Sequence, residues 1–149
     1  MSQEFMPIRK GILDIPSSEI RHIASIGMQM DDVMPFWFGE PHISTPSFVL
    51  QAAVKALRDH KIQYTLNRGL FSLRQALSMY MGNLYSRNID TERVTVTASA
   101  MNAISLIMQC IVEPGENVVM LGPLWPNISA SVHIMGGEVK EVPLKFENK

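Results

Sequence analysis

Across residues 93–144 the hydrophobic period changes repeatedly, and few folds accommodate that alternation. Arg93-Val94-Thr95-Val96-Thr97 is β-branched with a period of two, whereas "SAMNAISLIMQCIV" is apolar at helical spacing. Pro114-Gly115 marks a turn, and Asn117 to Leu121 is a short apolar run that reads as a buried strand. Asn127 to Met135 reads as a helix stopped by Gly136-Gly137, and "EVKEVPL" as one more strand. Strand, helix, strand, helix, strand predicts an α/β fold with a parallel-rich sheet covered by helices.

The upstream half is predominantly helical. Ser18 precedes "EIRHIASIG", with an acid in the first turn and glycine at the end, so a short helix is expected there. Residues 28–44 mix Pro35, Gly39 and Pro41 with an aromatic cluster, which predicts an extended stretch and a turn. Thr45-Pro46 offers an N-cap and a proline at the first helical position of a helix whose face Leu50, Ala53, Val54 and Leu57 runs to Arg58-Asp59-His60. Apolar residues at 70, 73, 77, 80, 81 and 84 predict a second amphipathic helix after the polar stretch "YTLNRG".

Composition excludes several functions. A chain of 149 residues, 46% hydrophobic, is about one domain's worth of globular material. The net charge of −1, from 13 basic and 14 acidic side chains spread along the chain, provides no basic stripe, so nucleic acid is not an expected partner. One cysteine, Cys110, rules out a disulfide framework and is expected to act as a small buried hydrophobe in a reducing compartment. Neither a signal peptide's apolar core nor a run of roughly 18 apolar residues is seen, which predicts a cytoplasmic protein with no membrane partner. The four histidines never fall three or four residues from one another or from Cys110, so no metal motif is expected.

In open parallel sheets ligands bind at the carboxyl ends of strands, where helix N-termini present free N–H groups. Two loops qualify. In "TASAMNA" the small residues Ala98, Ser99 and Ala100 would let a phosphate approach the N–H groups of Ala100 and Met101, with the Ser99 hydroxyl as a further donor; equally, Ser99 could simply cap the helix. In "LGPLWPNIS" two prolines bracket Trp125 and hold a flat indole on a stiff turn. Neither G-x-G-x-x-G nor G-x-x-x-x-G-K-[ST] occurs, so a dinucleotide or P-loop enzyme is disfavoured. An anion cradle beside an aromatic plate suits a flat phosphorylated heterocycle.

From about Met34 onward the chain resembles the N-terminal portion of class I/II aminotransferases, pyridoxal-phosphate enzymes of the aspartate aminotransferase fold type. The resemblance is carried by "FGEPHISTP", "YTLNRGLFSLRQAL", "VTVTASAMNAISL", "VEPGENVVMLGPLWPN" and "GGEVKEVPL" in that order. It implies that Ser99 and the backbone of Ala100 and Met101 bind the phosphate of pyridoxal 5'-phosphate, and that Trp125 stacks on its pyridine ring. It further implies that Gly39 passes close to the substrate carboxylate, and that Tyr64 reaches the cofactor phosphate of the partner subunit in a homodimer with shared sites. Many relatives have a glycine where this chain has Ala98-Ser99-Ala100, so the cradle here must keep negative φ throughout or strain one residue.

By the same resemblance residues 1–44 are an N-terminal segment, part of the small domain or an arm, and 45–149 the first part of the cofactor-binding large domain. The family's Schiff-base lysine, pyridinium-facing aspartate and carboxylate-binding arginine lie downstream of the stretches matched, so no catalytic residue is assigned. The six lysines, Lys10, Lys55, Lys61, Lys140, Lys145 and Lys149, all read as surface positions. Two functions follow. One is an aminotransferase, passing the amino group of an amino acid to a 2-oxo acid, of which this chain is an N-terminal piece inactive alone. The other is a non-catalytic aminotransferase-like module, either effector-sensing or a truncated product.

Overall fold

The structure is a computed structural model that describes residues 8–145. Its helices are α1 (Lys10–Leu13), α2 (Glu19–Gly27), α3 (Ser47–Arg58), α4 (Phe71–Tyr85), α5 (Ala100–Ile111) and α6 (Pro126–Ile134). The strands are β1 (Asn117–Gly122) and β2 (Glu138–Pro143), and a 3-10 turn spans Thr91–Arg93. The chain divides into two compact units, Met1–Phe38 with Ser99–Lys149, and Gly39–Ala98.

In the first unit β1, α6 and β2 form the expected crossover: β2 lies parallel to β1, with Val118 opposite Val139 and Met120 opposite Glu141. The alternation along β1 turns Met120 and Gly122 inward and Val119 and Leu121 outward, the latter two well exposed. The buried core is small: Val112, Met120 and Val132, with Met108, Val118, Leu124, Ile128, Met135 and Val139 packed around it. α5 and α6 pack on each other, and α6 on β2. Gly136 ends the crossover at φ +84°, a left-handed conformation that costs glycine nothing. α2 begins as its sequence requires, with the Ser18 hydroxyl accepting from the Arg21 N–H at 3.3 Å.

Three expectations are corrected here. The alternating segment 93–97 is no strand among the described residues: Thr91–Arg93 is a 3-10 turn, and Val94, at φ −105° and ψ 128°, is extended without a ladder partner. The sheet therefore has two strands, because alternation encodes a strand's backbone but not its neighbour. Cys110 is exposed rather than buried, since it lies on a side of α5 that no described element covers. Thr45 is not the cap of α3; Pro46 stands at that position, and its carbonyl accepts from Val49 and Leu50 at 3.0 and 3.2 Å.

In the second unit the most buried side of α4 is a stripe at spacing of four, Arg74, Ser78 and Gly82. The Ser78 hydroxyl donates to the Ile89 carbonyl, and the Arg87 N–H to the Gly82 carbonyl at 3.0 Å. A Cβ added at Gly82 would lie 2.9 Å from the Arg87 carbonyl oxygen, so the return of the chain past Ser86 needs a glycine there. Of the residues predicted to be a core face, Leu70, Leu73, Tyr80 and Leu84 are exposed, and Leu77 and Met81 are half-buried.

Candidate functional site

The N-terminus of α5 is the better-defined half of the site. Ser99 is extended, at φ −158° and ψ 164°, and its Oγ accepts from the Asn102 N–H at 3.1 Å. Its carbonyl accepts from the Ala103 N–H at 3.1 Å. With Asn102 capped, Ala100 and Met101 carry the first-turn N–H groups that have no acceptor inside the helix. No acidic side chain occupies this first turn. A helix of 12 residues ending in two consecutive open N–H groups and no resident carboxylate has the donor set and dipole direction that a phosphate requires.

The absence of glycine at 98–100 is resolved by the backbone. Among the described residues the non-glycine ones with positive φ are Asp32, His60 and Ser86, so the cradle keeps negative φ and stores no left-handed strain.

Trp125 sits in the loop that leaves the carboxyl end of β1. It is the N-cap residue of α6, at φ −67° and ψ 124°, with Pro126 at the first helical position. The Gly122–Pro123 peptide is cis. The residue is about half exposed, 48%. Ser99, Ala100, Met101 and Trp125 thus share the first compact unit, at the N-termini of two helices that pack on each other.

Gly39 and Tyr64 belong to the second unit. A Cβ built at Gly39 would meet nothing within 4 Å, so neither sterics nor a positive φ inside this chain demands glycine there. Tyr64 is fully exposed. That is the opposite of the half-buried tyrosine a loop position usually gives.

Sequence reasoning missed a cluster in the same unit as Tyr64. The Arg74 guanidinium, 5% exposed, donates from Nε to the Val94 carbonyl at 3.0 Å and from Nη2 to the Thr91 carbonyl at 2.9 Å and Glu92 Oε1 at 2.7 Å. Arg68 takes the other carboxylate oxygen, Oε2, at 2.7 Å. The legible signal was Arg74 and Ser78 at spacing of four on one helix face, a pattern ordinarily assigned to solvent.

Solved structures place this arrangement in a class. The chain superposes on aspartate aminotransferase from Thermotoga maritima with a TM-score of 0.84 at 27% identity, covering 91% of this chain and 37% of that one. Against aspartate aminotransferase from Rhizobium meliloti the TM-score is 0.86 at 27% identity, over 95% and 36%. The fold is therefore of the aspartate aminotransferase type.

Residues 31–149 match the pattern of the family "Aminotransferase class I and II", and the chain belongs to that family. An aspartate aminotransferase from Pyrococcus horikoshii is 30% identical over 95% of this chain and 36% of its own length. An aspartate/prephenate aminotransferase from Thermus thermophilus is 32% identical over 74% and 29%. The chain spans about a third of the length of the curated relatives it matches.

Proposed function

We propose that this chain forms the cofactor-cradling part of a pyridoxal-phosphate-dependent aminotransferase that passes the amino group of an amino acid to a 2-oxo acid. Membership of the aminotransferase family supports the reaction class. The observation that carries the cofactor assignment is the N-terminus of α5, where Ser99 caps Asn102 and leaves the N–H groups of Ala100 and Met101 for an anion. In this reading residues 45–149 are the first part of a cofactor-binding large domain and 1–44 part of an arm or small domain. The whole protein is a homodimer in the cytoplasm, with the catalytic lysine outside this chain.

When bound, pyridoxal phosphate supplies the electron sink that makes the substrate's Cα–H bond acidic. The chain's own residues hold and orient it. Ala100 and Met101 donate to the phosphate, and the α5 dipole favours its charge. Trp125, fixed by Pro126 and the N-cap conformation, lies against the heterocycle; a rigid plate limits tilt and so keeps reacting bonds aligned. Tyr64, exposed on its own subunit, reaches the phosphate bound by the partner subunit. Gly39 leaves room beside the substrate carboxylate.

The test removes one donor without breaking the helix. Proline is favoured at the first helical position and follows an extended residue readily, so Ala100→Pro deletes the N–H and little else. In the whole protein this variant is expected to bind pyridoxal phosphate about 10- to 100-fold more weakly, the worth of one hydrogen bond to a charged group. Unchanged affinity in a folded Ala100→Pro protein, or no amino transfer between any amino acid and 2-oxo acid by the wild type, would reject the reading.

A further inference from the structure

Tyr64 is fully exposed among the described residues, so its reach depends on where the backbone of the loop 64–69 is held. That loop is tied at its far end. The Gly69 N–H closes a turn on the Leu66 carbonyl at 2.8 Å, and the Arg68 carbonyl accepts from the Val96 N–H at 3.1 Å. Gly69, at φ +92°, lies so near Val96 that an added Cβ would be 2.8 Å from the valine Cβ.

The Arg68 side chain completes the tie. Its Nε donates to Thr95 Oγ1 at 3.3 Å and its Nη1 to Glu92 Oε2 at 2.7 Å; its Nη2 donates to the Glu92 carbonyl and, at 3.5 Å, to the Val94 carbonyl. Every nitrogen of the guanidinium is engaged with the segment 92–95, although the side chain is 40% exposed. Glu92 is itself braced from the other side by buried Arg74. A guanidinium so occupied is poorly placed to bind a ligand directly, but its planar fork fixes the loop to a braced segment in a way a single ammonium cannot.

We propose that Arg68 is a positioning residue for Tyr64, holding the 64–69 loop so that the phenol meets the cofactor phosphate of the partner subunit. This rests on the reading of Tyr64 given above. A tyrosine displaced by about 1 Å loses much of its hydrogen bond, and positioning losses of that kind reach tenfold and more.

The experiment measures affinity of the whole apo-protein for pyridoxal phosphate and for phosphate-free pyridoxal, by absorbance titration, in wild type, Arg68→Gln, Tyr64→Phe and the double variant. Arg68→Gln is expected to weaken pyridoxal phosphate about three- to tenfold while leaving pyridoxal within about twofold, and to add nothing on the Tyr64→Phe background. Equal loss for both ligands, no loss, or additive losses would overturn the proposal. If Tyr64→Phe is selective for the phosphate ligand and Arg68→Gln is not, the proposal alone fails. If Tyr64→Phe is itself without effect, the reading of Tyr64 fails and takes the proposal with it. Should Arg68→Gln not fold, Arg68→Lys and Thr95→Val loosen the same tie more gently; selective weakening in both supports the proposal, and none in either overturns it.

Discussion

The indole of Trp37 lies against the α-carbon of Gly27, in the last turn of α2, with no room between them for a side chain. A Cβ on residue 27 would stand 2.6 Å from Cη2 and 3.1 Å from Cε3 of the ring. The same helix holds the next aromatic through Arg21, whose guanidinium lies 5.0 Å from the centre of the Phe38 ring. These two contacts lay the segment 37–38 along α2, so the glycine that reads as a helix stop is also the seat of a tryptophan.

Two effects of Gly27→Ala oppose each other. Alanine gains about 1 kcal/mol over glycine inside a helix, but less at a last residue, whereas overlap with a packed ring costs about 1–3 kcal/mol. Overlap wins, because the obstructing atoms belong to an aromatic ring and not to a flexible tip. Urea unfolding of the whole protein should show Gly27→Ala destabilised by about 1–2 kcal/mol, with much of the loss recovered in Gly27→Ala/Trp37→Leu. Equal loss with and without Trp37 would show that the ring is not the cause.

Trp125→Ala should weaken retention of pyridoxal phosphate and slow turnover. A stacking ring contributes about 1 kcal/mol beyond its buried area and also fixes orientation, so the rate should fall more than affinity alone explains. Trp125→Phe, which keeps a plate on the same N-cap backbone, should recover most of the loss. A Trp125→Ala protein with wild-type affinity and rate would remove the indole from the site.

Tyr64→Phe should act across the dimer. In mixed dimers, a subunit carrying Tyr64→Phe paired with one defective at Ala100→Pro should place both lesions in one site and leave the other intact. About half of the wild-type sites should then function in the heterodimer. A heterodimer with neither site restored would place Tyr64 in its own subunit's site.

Much of this was readable from local chemistry. Ser18 and Ser99 cap α2 and α5 through the bonds their positions imply, and Gly136 turns the chain after α6. What could not be read was nonlocal. Val94 has a strand's dihedral angles without a strand's partner, because β-branched alternation specifies a backbone and leaves its pairing to other residues. In α4 the hydrophobic period pointed to Leu73 and Leu84, yet Arg74, Ser78 and Gly82 make the packing surface. Their partners are main-chain carbonyls of the returning segment, which leave no mark on hydropathy. The site divides likewise: helix geometry leaves the N–H groups of Ala100 and Met101 without an acceptor in α5, while the side-chain environments of Gly39 and Tyr64 carry no such mark.

Arg74 makes a sharper stability prediction than any apolar residue of α4. Arg74→Met keeps length and helix propensity but strips donors from the Thr91 and Val94 carbonyls and from one oxygen of Glu92. Glu92 is largely exposed and can turn to water, so the loss falls mainly on the two carbonyls. The expected cost is about 2–4 kcal/mol, set by hydrogen bonds from a charged donor. Hydrogen exchange should show amides near 91–96 losing protection before the rest of the second unit. Leu84→Ala, at an exposed position, should leave the protection of those amides unchanged; loss of protection there in Leu84→Ala and not in Arg74→Met would mean that the apolar face of α4 is the packed one.

Residues 1–149 as an isolated polypeptide are expected to fold poorly and to transfer no amino groups. Among the described residues the buried apolar side chains are Ala24, Val112, Met120 and Val132, a small core for a chain this long. Phe36, Phe48, Ile62, Leu66, Val119 and Leu121 are all well exposed, and the outer face of the two-stranded sheet is uncovered. A complete domain keeps only about 5–15 kcal/mol in hand, so burial this sparse should not support a sharp transition. Exposed strand edges beside apolar surface also favour aggregation. The expected lack of catalysis has a separate ground: Lys10, Lys55, Lys61, Lys140 and Lys145 are all exposed, the Lys55 ammonium is paired with Asp59 at 2.6 Å, and Lys149 lies outside the described residues. Purified 1–149 should bind a hydrophobic dye, melt broadly and self-associate; treated with pyridoxal phosphate and borohydride, it should label several lysines weakly. A cooperatively melting monomer labelled at one lysine in unit stoichiometry would overturn both expectations.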